Sequence, residues 1–319
     1  MTGVGRLPLR SHDEGREKGG GRRRTVVVAL ALPAALLLSG CSKDAQVGFL
    51  GTPDKNMTNQ TAGIIDLWNG SWIAALTVGA LVWGLMIWCM IVYRRRKDDH
   101  GLPAQIRYNI PLEILYIVVP IMMVGALFIK TVPVQAAIVD NSGKADLTIN
   151  VVAKQWAWDF NYRDANVYEV GVQGQLDGKP GVEAQLPTLY LPVNKRVQFI
   201  LTSRDVIHSF WIPATLFKLD AIPGVENKYQ MVPKVTGTFK GKCSELCGEY
   251  HSEMLFNVAV VTQEQFDQHL ADLKAKGQVG QLDSNLGRSK TPPGGAVPFN
   301  NGGDAVPSDS AAATQGTGS

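Results

Sequence analysis

Charge and cysteine are both scarce in this sequence, and each scarcity excludes a class of protein. Charged residues make up only 18% of the 319 residues and hydrophobic residues 45%, so the chain lacks the composition of a fully disordered protein. Four cysteines in so long a chain are too few for a scaffold built from disulfides. The 33 glycines follow no three-residue period, which excludes a collagen-like chain. What remains is a folded protein of one or two domains.

The first 40 residues have the organisation of an export signal. Residues 1–24 carry seven Lys or Arg against three Asp or Glu, and the 14 residues 25–38 carry no charge. A basic region, a short apolar region and small residues at its exit are typical of a secretory signal peptide. The exit, LSGC at 38–41, resembles a bacterial lipobox. We therefore expect a signal peptide at 1–40 and a mature chain with a lipid on Cys41; the alternative is an ordinary signal peptide with an incidental Cys41.

Two long apolar runs follow the export signal. No residue from 67 to 93 is charged, and these 27 residues at 1.5 Å each are long enough to cross a bilayer. The second run, 110–132, carries Glu113 near its start. Together they predict a transmembrane hairpin with a connector at 94–109 and an extracytoplasmic segment at 41–66. Because the connector has five Lys or Arg against two acids, we expect it in the cytoplasm and both termini outside.

Residues 133–276 show a different pattern. Short β-rich runs, such as 147–153, 188–192 and 196–202, are separated by Gly, Pro, Asn and Asp. Many short strands at this spacing predict an all-β sandwich or barrel. Residues 263–276 have apolar side chains at helical spacing and predict a helix. From 277 to 319 Gly, Pro, Ser, Ala and Asn dominate, so we expect a disordered tail.

Residues 243–254 concentrate the side chains that bind metals. Cys243, Cys247, His251 and Met254 fall within twelve residues, and His208 lies 35 residues before Cys243. Thiolate and thioether are soft donors that favour copper, and imidazole suits it too. The spacing leaves three interpretations open: copper, zinc held by two Cys and two His, or a disulfide between the two cysteines. Haem attachment is excluded because no Cys-x-x-Cys-His occurs.

These residues and their neighbours resemble subunit II of the haem-copper cytochrome c oxidases, in its bacterial, actinobacterial form. The matching motifs are DVIHSF at 205–210, DAIPG at 220–224, CSELCGEYHSEM at 243–254 and QWAW at 155–158. With both apolar runs, the resemblance covers residues 62–275. It implies an N-terminal two-helix transmembrane hairpin plus an all-β cupredoxin-like Greek-key barrel at 133–276, held outside the membrane.

The resemblance also implies a binuclear copper A centre and a role for each ligand position. Cys243 and Cys247 would bridge two copper ions, His208 and His251 would bind one each, and Met254 and the backbone carbonyl of Glu245 would complete them. The Glu245 side chain would face the haem-bearing subunit I, where the family has a magnesium ion shared between the two subunits.

Two further residues resemble functional positions of the family. Trp156 corresponds to the electron-entry indole that faces a docked cytochrome c; alternatively it packs in the core with Trp158 and Phe160, since all three share one strand face at period two. Glu113 corresponds to the carboxylate at the mouth of a proton-uptake path in the catalytic subunit. Its alternative is a helix-start acid after Asn109, favoured by the helix dipole.

Some positions depart from the family pattern. Arg204, Lys240 and Lys242 add positive charge around the copper loop, which weakens any acidic docking patch for a basic cytochrome. Residues 167–187, rich in Gly and Gln, do not align with the family and are a candidate contact for a partner.

The expected function is therefore subunit II of a proton-pumping aa3-type cytochrome c oxidase in the plasma membrane. It would take electrons from cytochrome c, or from a membrane-bound c-type cytochrome of a bc complex, and pass them to haem in subunit I for reduction of dioxygen to water. The expected partners include subunits I and III, and no nucleic acid. The alternative is a membrane-anchored copper-binding or copper-delivery lipoprotein.

Overall fold

A computed structural model describes residues 42–95, 101–102, 105–176 and 181–284 of the chain. The expected signal peptide, Cys41 and residues 285–319 of the expected tail lie outside the described residues. Residues 1–46 form one unit and residues 47–319 a second. The described part of the first unit contains one short helix, α1 (Lys43–Gln46). The two long helices and the β domain all belong to the second unit.

Two long apolar helices open the second unit, α2 (Thr61–Val92) and α3 (Ile110–Val139). Each contains an 18-residue stretch that is apolar enough to cross a membrane, and none of that stretch is buried within the chain. Apolar side chains that the protein does not cover need a lipid or protein environment. The predicted pair of apolar helices is thus confirmed.

The helices extend beyond the predicted spans at the ends nearest the β domain. α2 begins at Thr61 and not at 67, and α3 ends at Val139 and not at 132. Gln60, just before α2, donates from Nε2 to the backbone carbonyl of Gln230 at 3.0 Å and so ties the helix start to the β domain. Helical hydrogen bonding continues past the apolar residues, so hydropathy marks the spanning part and not the whole helix.

Among the described residues after α3 there are ten strands, two helices and two 3₁₀ turns. The strands are β1 (Leu147–Lys154), β2 (Ala157–Tyr162), β3 (Val167–Glu169), β4 (Thr188–Pro192), β5 (Val197–Ser203), β6 (His208–Ile212), β7 (Phe217–Ala221), β8 (Asn227–Met231), β9 (Gly237–Cys243) and β10 (Leu255–Val261). The helices are α4 (Val182–Gln185) and α5 (Gln263–Ala275), and the 3₁₀ turns are Pro213–Thr215 and His251–Glu253.

The strands form two five-stranded sheets with orders β3-β2-β1-β5-β8 and β4-β10-β9-β6-β7. β1 pairs antiparallel with β2 and parallel with β5, and β10 pairs antiparallel with β9 and parallel with β4. Residues from both sheets fill one core. At its centre Phe210 stacks on Phe256 at 5.0 Å, and Trp158 meets Phe210 edge-on at 5.3 Å. The predicted all-β domain is confirmed.

One expectation about this domain, the start of the tail at 277, needs correction. All six residues of β2 are buried, so the strand is covered on both faces. Asp159 accepts a hydrogen bond from the Gly171 backbone N–H at 2.7 Å, so a chain segment covers the second face of the strand. Asn161 bonds the backbone of Leu282, which is also buried. Residues 277–284 therefore pack against the domain, and the expected tail boundary at 277 is too early.

Candidate metal centre

The predicted ligands converge at one end of the two sheets. His208 is the first residue of β6 and Cys243 is the last residue of β9, and these two strands are neighbours. The loop from β9 to β10 carries Cys247, then the 3₁₀ turn that begins at His251, and then Met254. Strand pairing therefore brings the distant histidine to the cysteine-bearing loop.

The donor atoms lie close together in a definite order. The two Sγ atoms of Cys243 and Cys247 are 3.8 Å apart. The Nδ1 atom of His208 lies 3.9 Å from the Cys243 Sγ, and the Nδ1 atom of His251 lies 3.5 Å from the Cys247 Sγ. The Met254 Sδ is 3.9 Å from the Cys247 Sγ. Each sulfur thus has its own histidine, with the two sulfurs in the middle.

Backbone hydrogen bonds fix both ends of the loop. The Cys243 N–H donates to the Met254 carbonyl at 3.1 Å, and the Ser244 N–H donates to the Ser209 carbonyl at 3.0 Å. The Glu245 carbonyl oxygen lies 3.2 Å from the Cys243 Sγ, while the Glu245 side chain is exposed. The backbone oxygen thus lies beside the donor group and the side chain faces outward.

The site is buried on its inner side and partly exposed on its outer side. His208, Cys243, Cys247 and Met254 are all buried, at 0% to 4% exposure, and His251 is half-buried. The Trp158 ring lies edge-on to the His208 imidazole at 6.1 Å. Soft donors in a mostly apolar setting suit a thiophilic metal ion.

Asp205 controls the orientation of His208. Its Oδ1 lies 2.8 Å from the His208 Nε2, which leaves Nδ1 directed at the sulfurs. Burial alone would lower the pKa of His208, but the hydrogen bonds to Asp205 and Cys243 raise it above its usual value. Burial likewise opposes ionisation of Asp205, yet the bond to His208 holds the pKa of Asp205 below its usual value. The carboxylate is therefore charged and holds the imidazole in place.

The two cysteines are free thiols and not a disulfide, since 3.8 Å between the sulfurs is far beyond the bond length of about 2.05 Å. Their mutual hydrogen bond lowers the pKa of Cys243 to about 3 against the effect of burial. The same bond and burial raise the pKa of Cys247. A bound cation would remove the remaining proton, because metal-ligating cysteines are thiolates.

Trp156 lies beside the β9–β10 loop and outside β2. It occupies the turn between β1 and β2, is half-buried, and donates from Nε1 to the Cys247 carbonyl at 3.2 Å. Its ring meets Tyr250 edge-on at 4.8 Å. The neighbouring Gln155 donates from Nε2 to the same carbonyl at 2.8 Å. Gly248 has φ +127°, and a Cβ there would lie 3.0 Å from the Gln155 Nε2, so a side chain at 248 would disturb this contact.

Glu113 lies far from the donor atoms along the chain, in the first turn of α3. Its Oε1 accepts from the Asn109 N–H at 3.2 Å, and the Asn109 side chain accepts from the Leu112 N–H at 3.3 Å. The carboxylate thus accepts a hydrogen bond at the helix start, from the N-cap residue. The helix continues from Glu113 to Val139, and at 1.5 Å per residue this places Glu113 about 39 Å from the end that meets the β domain.

The spacing of residues in the sequence identified the sulfur and imidazole donors, but it did not identify three polar residues that surround them. Asp205 and Gln155 contact the site as described above, and Gln173 contacts Glu253 in the ligand-bearing turn. The lysines expected to crowd the loop are directed elsewhere. Lys240 pairs with Glu183 at 2.8 Å, and the Lys242 Nζ lies 4.7 Å above the Trp211 ring.

Known proteins with similar sequences fall in one family. The family model described as cytochrome c oxidase subunit II, periplasmic domain, matches residues 147–261. A probable cytochrome c oxidase subunit 2 of Streptomyces avermitilis is 43% identical over 293 residues, covering 81% of this chain and 90% of that protein. A cytochrome c oxidase subunit 2 of Mycobacterium bovis is 32% identical over 320 residues, covering 84% of this chain and 88% of that protein.

A solved structure is similar over the β domain. The periplasmic domain of subunit II of cytochrome oxidase (CoxB) of Bradyrhizobium japonicum is 36% identical, covers 42% of this chain and 97% of that chain, and gives a TM-score of 0.37.

Proposed function

The chain belongs to the cytochrome c oxidase subunit II family, and from that premise we propose that it is the electron-accepting subunit of a proton-pumping aa3-type oxidase. Members of this family are parts of a haem-copper oxidase, which is an enzyme complex. The observation that carries the proposal is the convergence of two histidine Nδ1 atoms, two cysteine Sγ atoms and one methionine Sδ atom at one end of the β domain.

This donor set fits a binuclear copper A centre. Two central sulfurs, each with its own histidine, match two metal ions bridged by two thiolates, with Met254 and the Glu245 carbonyl as further donors. Copper held by these residues would supply one-electron transfer with little ligand movement. The zinc alternative needs four donors and has no use for the thioether.

Residues of the chain fix the positions of the metal-ligating side chains, as electron transfer requires. The buried Asp205 carboxylate contacts the His208 Nε2 at 2.8 Å and fixes the imidazole with its Nδ1 toward the sulfurs. One backbone hydrogen bond joins the two ends of the loop, from Cys243 to Met254, and another ties Ser244 to Ser209 of β6. Ligands fixed in this way reduce the rearrangement that accompanies each electron.

We assign electron entry to Trp156. Its indole is partly exposed and donates to the Cys247 carbonyl, so it offers a short route from the surface to a ligand. The donor would be cytochrome c or a membrane-bound c-type cytochrome of a bc complex.

Two carboxylates are assigned roles toward the haem-bearing subunit I. The exposed Glu245 side chain is free to contribute to a magnesium site shared between the subunits. Glu113, at the other end of α3, would mark the entry of a proton path in addition to its hydrogen bond at the helix start. Subunit III would complete the complex.

The chain is a membrane protein with an extracytoplasmic domain, and we propose further that both termini are outside. The basic connector 94–109 supports this orientation, and so does the export signal. Processing before Cys41 with lipid attachment would add a third membrane anchor.

Metal analysis and electron paramagnetic resonance of the purified oxidase complex test the central proposal. We expect two copper ions per chain in addition to those of other subunits, and a signal from one electron coupled to two copper nuclei. His208→Asn or Cys247→Ser should abolish that signal while haem remains.

A chain that binds zinc, or a single copper ion without coupling, would overturn the assignment. Purification without a haem-bearing membrane partner would instead favour the copper-delivery lipoprotein.

A further inference from the structure

Residues 170–174, which we call the strap, cross the domain after β3 without forming a helix or strand. Gly171, Gln173 and Gly174 are nevertheless buried. The Gly171 N–H donates to the Asp159 carboxylate at 2.7 Å, and a Cβ at Gly171 would lie 2.2 Å from the Trp158 carbonyl oxygen. Only glycine permits this close approach, so the backbone of the strap contacts the backbone of β2 directly.

The strap reaches from β2 to the ligand-bearing turn. The Gln173 side chain donates from Nε2 to the Glu253 Oε2, and the Gly174 N–H donates to the Glu253 carbonyl at 2.9 Å. Glu253 is the last residue of the 3₁₀ turn that starts at His251, and Met254 follows it. The strap therefore holds Glu253, by side chain and backbone, and Glu253 is one of the two residues that separate His251 from Met254.

Burial of the Gln173 side chain lowers the stability of the fold. The side chain is 8% exposed, and its Oε1 has no hydrogen-bond partner among the described residues. A buried acceptor without a partner is destabilising. The hydrogen bond that this side chain does make, to Glu253, is the one that bears on the metal centre.

We propose that Gln173 is a positioning residue for the metal centre, acting through Glu253. It fixes the turn that sets the positions of His251 and Met254, and it holds the Glu253 carboxylate on that turn. A negative charge on this turn would stabilise the more oxidised state of metal ions bound by His251 and Met254, and would so lower the midpoint potential. The proposal rests on the proposed copper function.

Five variants of the oxidase complex separate these effects. Gln173→Met keeps the volume and removes the hydrogen bond. Glu253→Gln removes the charge but retains an acceptor, and Glu253→Met removes both. The double variant Gln173→Met with Glu253→Met shows whether Gln173 acts through Glu253. Gln175→Met, an exposed neighbour, is the matched control.

Three readouts apply: the rate of copper loss to a chelator, the midpoint potential, and the copper hyperfine pattern. Loss of a residue that orients a ligand typically weakens metal binding by about 10- to 100-fold, so we expect Gln173→Met to lose copper at least about tenfold faster and to change the hyperfine pattern. Glu253→Gln should retain copper and raise the potential. The double variant should match Glu253→Met, and Gln175→Met should match the wild type.

The proposal is overturned if Gln173→Met behaves like the wild type, or if its effect persists undiminished beside Glu253→Met. If Gln173→Met does not assemble, the glutamate variants decide: equal copper retention in Glu253→Gln and Glu253→Met contradicts the proposal, and better retention in Glu253→Gln supports it. A wild-type complex without a coupled two-copper signal would instead be a failure of the proposed function.

Discussion

Asp205 is the residue on which the geometry of His208 depends most directly. Its two oxygens accept from the Gln155 and Val206 backbone N–H groups, both at 2.7 Å, and contact the His208 Nε2 at 2.8 Å. Asp205→Asn removes the charge and one acceptor. We expect copper affinity to fall by about 10- to 100-fold, measured by competition with a chelator. Asp220→Asn, on the exposed face of β7, is the control, and equal affinities of the two variants would contradict the role.

Trp156 allows electron entry to be separated from metal binding. Trp156→Phe loses one hydrogen bond, worth about 1 kcal/mol of stability, and leaves every donor atom in place. We therefore expect an unchanged copper spectrum and slower reduction by cytochrome c, followed by stopped-flow absorbance. Trp211→Phe, half-buried on β6, is the matched control. If both variants are reduced at the wild-type rate, electrons enter elsewhere.

The donor residues were predictable because four of them lie in one twelve-residue segment, where soft ligands at short spacing have few other uses. The residues that hold these donors in place were not predictable from their spacing. Gln155 contacts Cys247 across 92 positions, Asp205 contacts Gln155 across 50, and Gln173 contacts Glu253 across 80. An isolated Gln or Asp has no distinctive pattern, so only the fold reveals such pairs.

At the scale of elements, the packing of α5 beside β3 and β4 buries two titratable groups with opposite effects. Burial raises the pKa of Glu169 on β3 from 4.5 to about 7, against the attraction of Lys276. Burial and Lys276 together lower the pKa of His269 on α5 from 6.5 to about 4. His269 stacks on Tyr190 at 3.7 Å, and its Nε2 has no partner in the described part of the chain.

The pH-dependent contributions of Glu169 and His269 to the free energy of unfolding should nearly cancel. As pH rises from 4.5 to 7, ionisation of Glu169 in the unfolded chain removes stability, by at most about 3 kcal/mol. As pH falls from 6.5 to 4, protonation of His269 in the unfolded chain removes stability as well. Glu169→Gln should therefore leave a domain whose free energy of unfolding rises with pH between 4 and 6.5.

Denaturant unfolding of the metal-free chain at a series of pH values measures this slope. His269→Phe, which keeps the stacking on Tyr190, should show the reverse slope, with stability falling as pH rises towards 7. Parallel curves for both variants and the wild type would show that neither group titrates between these pH values.

The sequence predicted the boundaries of an element correctly where a single physical property determines them. Apolar composition set the spanning parts of α2 and α3, and β4 matches the predicted run at 188–192. β2 shows no alternation of buried and exposed side chains, because a strand covered on both faces loses its period-two pattern. Its second face is covered by the strap and by Leu282, and neither segment has a periodic sequence pattern. The start of β2 at Ala157 also removes Trp156 from the strand face that it would share with Trp158.

At the scale of the whole molecule, the net charge of +3 is a sum of unlike parts. Residues 1–40 contribute seven bases and three acids, which leaves 24 bases and 25 acids, or −1, from residue 41 onward. The connector 94–109 contributes five bases and two acids, and residues 133–319 contribute 16 bases and 19 acids. Positive charge is thus concentrated on the side expected to be cytoplasmic, and the β domain with its tail is mildly acidic.

The proposed orientation makes a prediction for intact cells. An epitope tag after Ser319 should bind antibody on cells whose outer envelope has been opened, because the proposed orientation puts the C-terminus outside. The same tag within the connector 94–109 should bind only after the plasma membrane is permeabilised, since the five basic residues retain that segment in the cytoplasm. Equal assembly of both tagged chains with haem is the control. Antibody access to the connector tag before permeabilisation would reverse the orientation and would place Glu113 on the side opposite to proton uptake.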